Sequence, residues 1–199
     1  MARVRCDMEP LPFGMKLITP PASEPVSLTE AKARLKVTVS DMDDDITALI
    51  SAARAAAENE VGRAFVTQTW SLYLDGFPAG RVITLPRPPL ASVTWVKYYD
   101  ADGVQQTLSS TTYYVATGQD PGRIVLKQSQ AWPTVEAGRP EAVEVRYVAG
   151  VAAASVPKEL CDAIMLILSD RFENPAGGTD AIPAAARRLL NGSEVGMVY

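Results

Sequence analysis

The sequence predicts an α+β fold: a small helical bundle carrying a β-rich insertion, with an extended N-terminal arm and a C-terminal tail. Three observations predict it. Apolar residues recur at three- and four-residue spacing over 28–63 and again over 157–173, the period of helices with a buried stripe. Between these segments, residues 66–150 switch to short runs rich in aromatic and β-branched residues, separated by Gly, Pro and Asp. Residues 1–26 hold Pro10, Pro12, Pro20, Pro21 and Pro25, and proline fixes its own φ and pushes the residue before it into extended geometry.

The arm over 1–26 has two readings. It is a frayed terminus, or it is laid on a neighbouring subunit, and Phe13, Met15, Leu17 and Ile18 favour the second because a solvated tail has little use for them. A connector core is expected over 27–175. Ser27-Leu-Thr-Glu30 has the hydroxyl and the carboxylate of a capping box, so a helix is expected over 28–36 with Leu28, Ala31 and Leu35 on one face. Asp41, Asp43, Asp44 and Asp45 introduce a helix over 42–63, whose stripe is Ile46, Leu49, Ile50, Ala53, Ala57 and Val61. Ser51, Arg54, Glu58 and Arg63 fall on the opposite face, which is expected to be solvated, and Gly62 helps end the helix.

The β pattern opens with Gln68–Leu74, closed by Asp75-Gly76. Val82–Leu85 stops at Pro86-Arg-Pro-Pro89, which no central strand could tolerate. Val93–Tyr99 and Val104–Leu108 flank Asp100-Ala-Asp-Gly103 and read as a hairpin with Gly at the left-handed position. Tyr113–Ala116 and Arg123–Leu126 flank the Gly118-Gln-Asp-Pro-Gly122 turn, and Ala142–Val148 is the last strand. A helix is expected over 157–173, with Pro157 in its first turn and Leu160, Ile164, Ile167, Leu168 and Phe172 as its stripe. Residues 176–199 form a short helix over 183–190 and a docking tail.

Composition narrows the function. With 47% hydrophobic and 21% charged residues, the chain can bury a core and is not a disordered protein. The formal net charge of −4 argues against gripping nucleic acid by neutralising phosphates, but an acidic surface would let DNA pass without sticking. There is no histidine, which removes the commonest general base and zinc ligand together. The two cysteines, Cys6 and Cys161, do not make a disulfide framework and fit a reducing cytoplasm. No signal peptide is expected, and the apolar window Leu160–Leu168 is too short to span a bilayer.

Each candidate for chemistry has a plainer reading. The aspartates near residue 43 lack the Gly and later Glu of a calcium loop, and acids in a first turn complement the helix dipole without a metal. Ser155 and Lys158 lack any nucleophile signature around them. Cys161 lies on an apolar face, as core thiols do. Trp70, Trp95 and Trp132 with Tyr73, Tyr98 and Tyr99 are either core and hairpin packing or a stacking platform for single strands, which would need a basic groove. No catalytic residue, metal site or cofactor is expected.

Leu17–Val37, Gln68-Thr-Trp70, Leu85-Pro-Arg-Pro-Pro-Leu90 with Ser92-Val93, Ala131-Trp-Pro133, Val145–Gly150 leading to Val156-Pro157, and Phe172-Glu-Asn174 together resemble the head–tail connector (adaptor) proteins of tailed phages. The likeness is to the Burkholderia-phage type, the connector of the phage with a chainmail capsid and the gene-transfer-agent adaptors, and covers about residues 17–175. The resemblance implies a structural ring with the twelve-fold symmetry of the portal, seated in the virion neck after assembly in the bacterial cytoplasm. Its implied partners are the portal protein, a stopper or tail-completion protein, further copies of the chain, and double-stranded DNA passing the lumen without sequence-specific binding; no membrane is involved. Family adaptors embed a C-terminal segment in the portal, which here points to Arg187, Arg188, Leu189, Leu190, Val195, Met197, Val198 and Tyr199. A stopper or tail-terminator ring of the same neck is the alternative, and an accessory enzyme or a simple binding module is the more distant one.

Overall fold

The capping box is the start of the fold. In the computed structural model, which describes residues 13–174 and 182–193, Ser27 Oγ accepts from the Glu30 N–H at 3.2 Å and Glu30 Oε2 accepts from the Ser27 N–H at 2.9 Å. Helix α1 (Leu28–Leu35) follows and ends at Lys36 in the left-handed region. Helix α2 (Asp43–Val61) ends at Gly62, φ 67°, whose N–H returns to the Glu58 carbonyl. Helix α3 (Lys158–Glu173) takes Pro157 as its N-cap rather than inside its first turn. Helix α4 (Ala184–Ser193) runs through Asn191-Gly192, where the sequence predicted its end.

The four helices share one apolar cluster, built on Ala31, Ile46, Ile50, Ala53, Ala57, Leu160, Ile164, Ile167, Leu168 and Leu190. The predicted stripes face the cluster, with Leu28, Leu35, Leu49, Val61 and Phe172 only partly buried at its margin. Among the described residues, no helix is long and apolar enough to cross a membrane.

The insertion folds as two antiparallel sheets. Strands β1 (Phe13–Thr19), β2 (Gln68–Leu74), β4 (Leu90–Tyr99), β5 (Gln105–Thr107) and β8 (Val143–Ala149) form the larger, ordered β1-β2-β8-β4-β5. Strands β3 (Val82–Thr84), β6 (Tyr113–Ala116) and β7 (Arg123–Leu126) form the smaller, ordered β3-β7-β6. The predicted hairpin and turn are present: Gly103 has φ 76° and Asp100 Oδ1 accepts from the N–H groups of Asp102 and Val104.

Alternation along each strand gives the sheets an inner and an outer face. Leu72, Val96, Val143, Val145 and Tyr147 from the larger sheet meet Ile83, Ile124, Leu126 and Tyr113 from the smaller one in a second apolar cluster.

The N-terminal segment departs from expectation. Residues 13–19 are extended, but as β1 they pair with the chain's own β2, from Phe13 opposite Leu74 to Leu17 opposite Trp70. Their backbone forms one edge of the larger sheet, with Met15 half-buried and Leu17 exposed.

The lobes join at residues 64–67 and 149–151. Val66 and Val151 form a parallel bridge, the Val151 N–H donates to Phe65, and the Thr67 N–H returns to Val151. Gly150 sits in this joint at φ 91°, where an added Cβ would lie 2.2 Å from the Val66 carbonyl oxygen. Gly62 has a positive φ but nothing within 4 Å of a new Cβ. Gly62→Ala is therefore expected to destabilise by about 1 kcal/mol from backbone strain alone. Gly150→Ala should cost several times more, because backbone must move to admit it. Urea unfolding of the two variants checks the ratio, and equal losses would contradict the steric account.

Candidate interaction surfaces

Glu58 lies one turn from the end of α2, and its carboxylate is 4% exposed. Oε2 accepts from Arg54 at 2.5 Å, while Oε1 accepts from the Phe65 N–H at 2.7 Å and Gln68 Nε2 at 2.8 Å. Arg54 is also buried and reaches back to Glu24 at 2.7 Å. Arg87, before β4, donates to the Glu58 carbonyl at 2.9 Å and to Asn59, and its guanidinium lies 5.3 Å from the Trp70 ring centroid. The Arg54–Glu58 face, expected in solvent, is thus the face that the β lobe and the proline-rich lead cover. Burial pushes the Glu58 carboxyl above its ordinary range, against the opposing pull of Arg54 and the Phe65 N–H.

A cleft of about 890 Å³ opens beside this joint. Its apolar lining includes Phe65, Pro89, Val151 and Leu160, and its polar rim carries Arg63, Asp120 and Arg123. Arg63 pairs with Asp120 through one guanidinium nitrogen, while its Nε is buried without a hydrogen-bond partner. Gly122 makes the rim possible, since a Cβ there would fall 2.4 Å from Leu90 Cβ.

The aromatic residues are engaged within the chain. Trp132 stacks on Phe77 at 4.7 Å and donates to the Gly80 carbonyl. Tyr98 meets the edge of Phe77, Arg139 covers Tyr99 at 3.5 Å, and Lys97 and Arg146 lie 4.6 Å from Trp95. Rings already covered this way present no open row for stacking bases.

Neither a protein-family model nor a curated protein matches the chain. Solved structures do. A chain in the neck of an empty gene transfer agent particle, computed with C6 symmetry, superposes with a TM-score of 0.75 at 23% identity, covering 90% of this chain and 94% of that one. The fold is shared with a chain of the gene transfer agent neck. The neck of the native particle, computed with C12 symmetry, holds a chain with a TM-score of 0.66 at 24% identity, covering 88% and 94%. The virion of the native particle holds one at 0.74 and 22%, covering 89% and 93%.

Within this fold the residues expected at interfaces fall into distinct environments. Met15 is half-buried, and its sulfur lies 3.6 Å from the Tyr147 hydroxyl, which donates to Pro86 at 2.9 Å. Leu17 is 39% exposed, and Ile18 sits at the irregularity where β1 shifts register against β2. The position of Phe13 is described but not its side chain. At the other terminus, Leu190 is fully buried in the helical cluster and Leu189 packs against it. Arg187 pairs with Glu60 at 2.7 Å, and Arg188 is exposed. Val195, Met197, Val198 and Tyr199 lie outside the described residues.

Among the described residues, no three His, Cys, Asp or Glu side chains converge as metal ligands. Asp43 pairs with Lys32 at 2.5 Å. Cys161 Sγ lies 3.7 Å from the Pro25 carbonyl, and burial raises its pKa, which disfavours the nucleophilic thiolate. The hub around Glu58 escaped sequence reasoning. Its one available signal was a charged pair, Arg54 and Glu58, spaced four apart beside an alanine-rich stripe, and that spacing is equally common on solvated helices.

Removing the Glu58 carboxylate strands Arg54, the Phe65 N–H and Gln68 together. Glu58→Ala is expected to destabilise by about 3 kcal/mol or more, as for other broken buried pairs. The pH dependence has a definite sign. A carboxyl with a raised folded-state pKa binds its proton more tightly folded than unfolded, so its contribution is present below the ordinary carboxylate range and is lost as pH rises through the folded value. Wild-type stability should therefore fall relative to Glu58→Gln over that window, as read by urea midpoints across pH. A constant difference would remove Glu58 as the titrating group.

Proposed function

We propose that this chain is a structural head–tail adaptor of a tailed phage or phage-like particle, a ring subunit in the neck with no catalytic role. The observation that carries the reading is the fold shared, over 88–90% of this chain, with chains in gene transfer agent necks and virions. Those necks were computed with C6 and C12 symmetry, and a ring of identical copies is the arrangement such symmetry suits. A ring interface is heterologous: each copy offers two different surfaces that close by rotation. The connector-like segments of the sequence support the adaptor role over a stopper or tail terminator.

In this reading the chain binds the portal on one side and a stopper or tail-completion protein on the other. DNA passes the lumen without sequence-specific contacts, for which the formal net charge of −4 is suitable. The outer edge of β1, unpaired among the described residues and with Leu17 exposed beside it, is offered to a neighbouring copy. The portal-facing element begins after the helical core. Leu190 is an internal residue of that core, so Arg188 and the segment from 194 to Tyr199 are the better candidates for portal contact.

This division sets the test. Deleting 194–199 should leave unfolding midpoints close to wild type while the protein no longer co-purifies with portal protein. Deleting 189–199 also takes Leu190 out of the bundle, and stability should drop by about 2–5 kcal/mol, the range for emptied core sites. Normal tailed particles assembled with the 194–199 deletion would refute the portal assignment. Binding to the stopper alone, with none to portal, would favour the stopper reading.

A further inference from the structure

The outer face of the smaller sheet has no covering element among the described residues, yet it is apolar. Val82, Val125 and Tyr114 stand side by side across β3, β7 and β6. Val82 is 37% and Tyr114 62% exposed. One step along the strands, Thr84, Arg123 and Ala116 make the next row, and Thr84 and Arg123 also line the cleft beside Phe65 and Leu160. Lys127 lies 4.9 Å from the Tyr114 ring centroid. The surface is therefore an apolar strip with cations along it, running into a cavity with a further cation, Arg63, at its rim.

The same chain carries a surface of opposite character. Val39 is 54% exposed, and Asp41, Asp44 and Asp45 are exposed at the start of α2 with no ion pair, whereas Asp43 is held by Lys32. We propose that the strip and cleft of one copy receive the Val39–Asp45 corner of a second copy, so that copies of the chain join head to tail. This rests on the reading of the chain as a ring subunit and names the surfaces that close the ring.

Charge and apolar character both match across the proposed contact. Three carboxylates that make no ion pair among the described residues face Arg123 and Lys127, and an exposed valine faces the Val82–Tyr114 strip; Arg63 at the rim is already held by Asp120. Geometry prevents one chain from satisfying itself. The acidic corner precedes α2 and Arg63 follows it, so the surfaces lie at opposite ends of a 19-residue helix, about 28 Å apart at 1.5 Å per residue. Complementary surfaces at opposite ends generate a heterologous, propagating contact. A nucleic-acid occupant fits less well, because the apolar strip offers nothing to phosphates.

Paired cysteines test the contact. In a Cys6→Ser, Cys161→Ser background, the purified chain carrying Val39→Cys and Tyr114→Cys together should oxidise to a ladder of dimers, trimers and longer species. A mixture of the two single-cysteine chains should stop at dimers. Adding Arg123→Glu, or Asp44→Lys with Asp45→Lys, should cut the cross-linked fraction by at least about tenfold through like-charge contact. Combining all three reversals in one chain should restore the ladder.

Absence of a ladder from the paired chain overturns the proposal, as does a ladder indifferent to the charge reversals. Binding of a labelled DNA duplex that Arg123→Glu abolishes, without any ladder, would assign the cleft to nucleic acid and also overturn it. The same cysteines in assembled particles separate the two readings. Necks that contain the chain but do not cross-link refute this interface alone. A chain that ladders in solution but never enters necks refutes the neck role alone.

Discussion

A carboxylate with almost no access to water sits where the helical lobe meets the β lobe, and three separate segments depend on it. Glu58 takes a guanidinium from its own helix, a backbone N–H from the first residues after that helix, and an amide from Gln68 at the start of β2. Burying such a group is unfavourable unless its oxygens are fully occupied. The constraint works in both directions. The β lobe must present Phe65 and Gln68 at fixed positions, and the helix must hold Arg54 against the proline-rich lead through Glu24. An apolar contact would tolerate sliding of one lobe against the other. A carboxylate with directional bonds to both does not.

The rest of the architecture follows from how little chain crosses between the lobes. Each lobe has its own apolar cluster, one made by helices and the other by two facing sheets. Beside the lead that runs from β1 to α1, the crossings at 64–67 and 149–151 lie side by side and bridge one another. Gly150 lets the backbones approach closely enough for that bridge, and Arg87 caps the end of α2 while covering Trp70. The cleft is the space left beside this joint, where the 117–122 loop stands against the N-terminal end of α3. Its position comes from the joint, so any partner seated there would sense the relative placement of the two lobes.

The ring subunit we propose would need rigidity between two dissimilar surfaces more than a reactive group. The fold has that character: α2 spans the helical lobe, with an acidic corner before it and a cationic, partly apolar cleft after it. The likeness in fold to chains of gene transfer agent particles covers 88–90% of the chain. The aromatic residues serve the same end. Their faces are covered by Arg139, Arg146, Lys97 and Phe77 from the chain itself, which stiffens the hairpins.

Local order was legible from the residues alone because it is written in short spacings. The capping box at Ser27, the three-and-four stripe through Ile46 and Ile50, the Gly103 hairpin and the turn at 118–122 all appear within a residue or two of where they were expected. Charge misled at Arg54 and Glu58. A charged pair opposite an apolar stripe is solvated unless something covers it, and what covers it here comes from Glu24, Phe65 and Gln68. Met15 and Leu190 meet partners from other elements, the Tyr147 hydroxyl and the helical cluster, that their own neighbours in sequence do not reveal. Apart from β1, the sequence by itself determined which segments are helix and which are strand, since those follow from neighbours three, four or two residues away. Only the tertiary structure decided which polar groups are buried, which apolar ones stay open, and where the cleft lies. Those depend on contacts between residues many tens of positions apart, which no local period encodes.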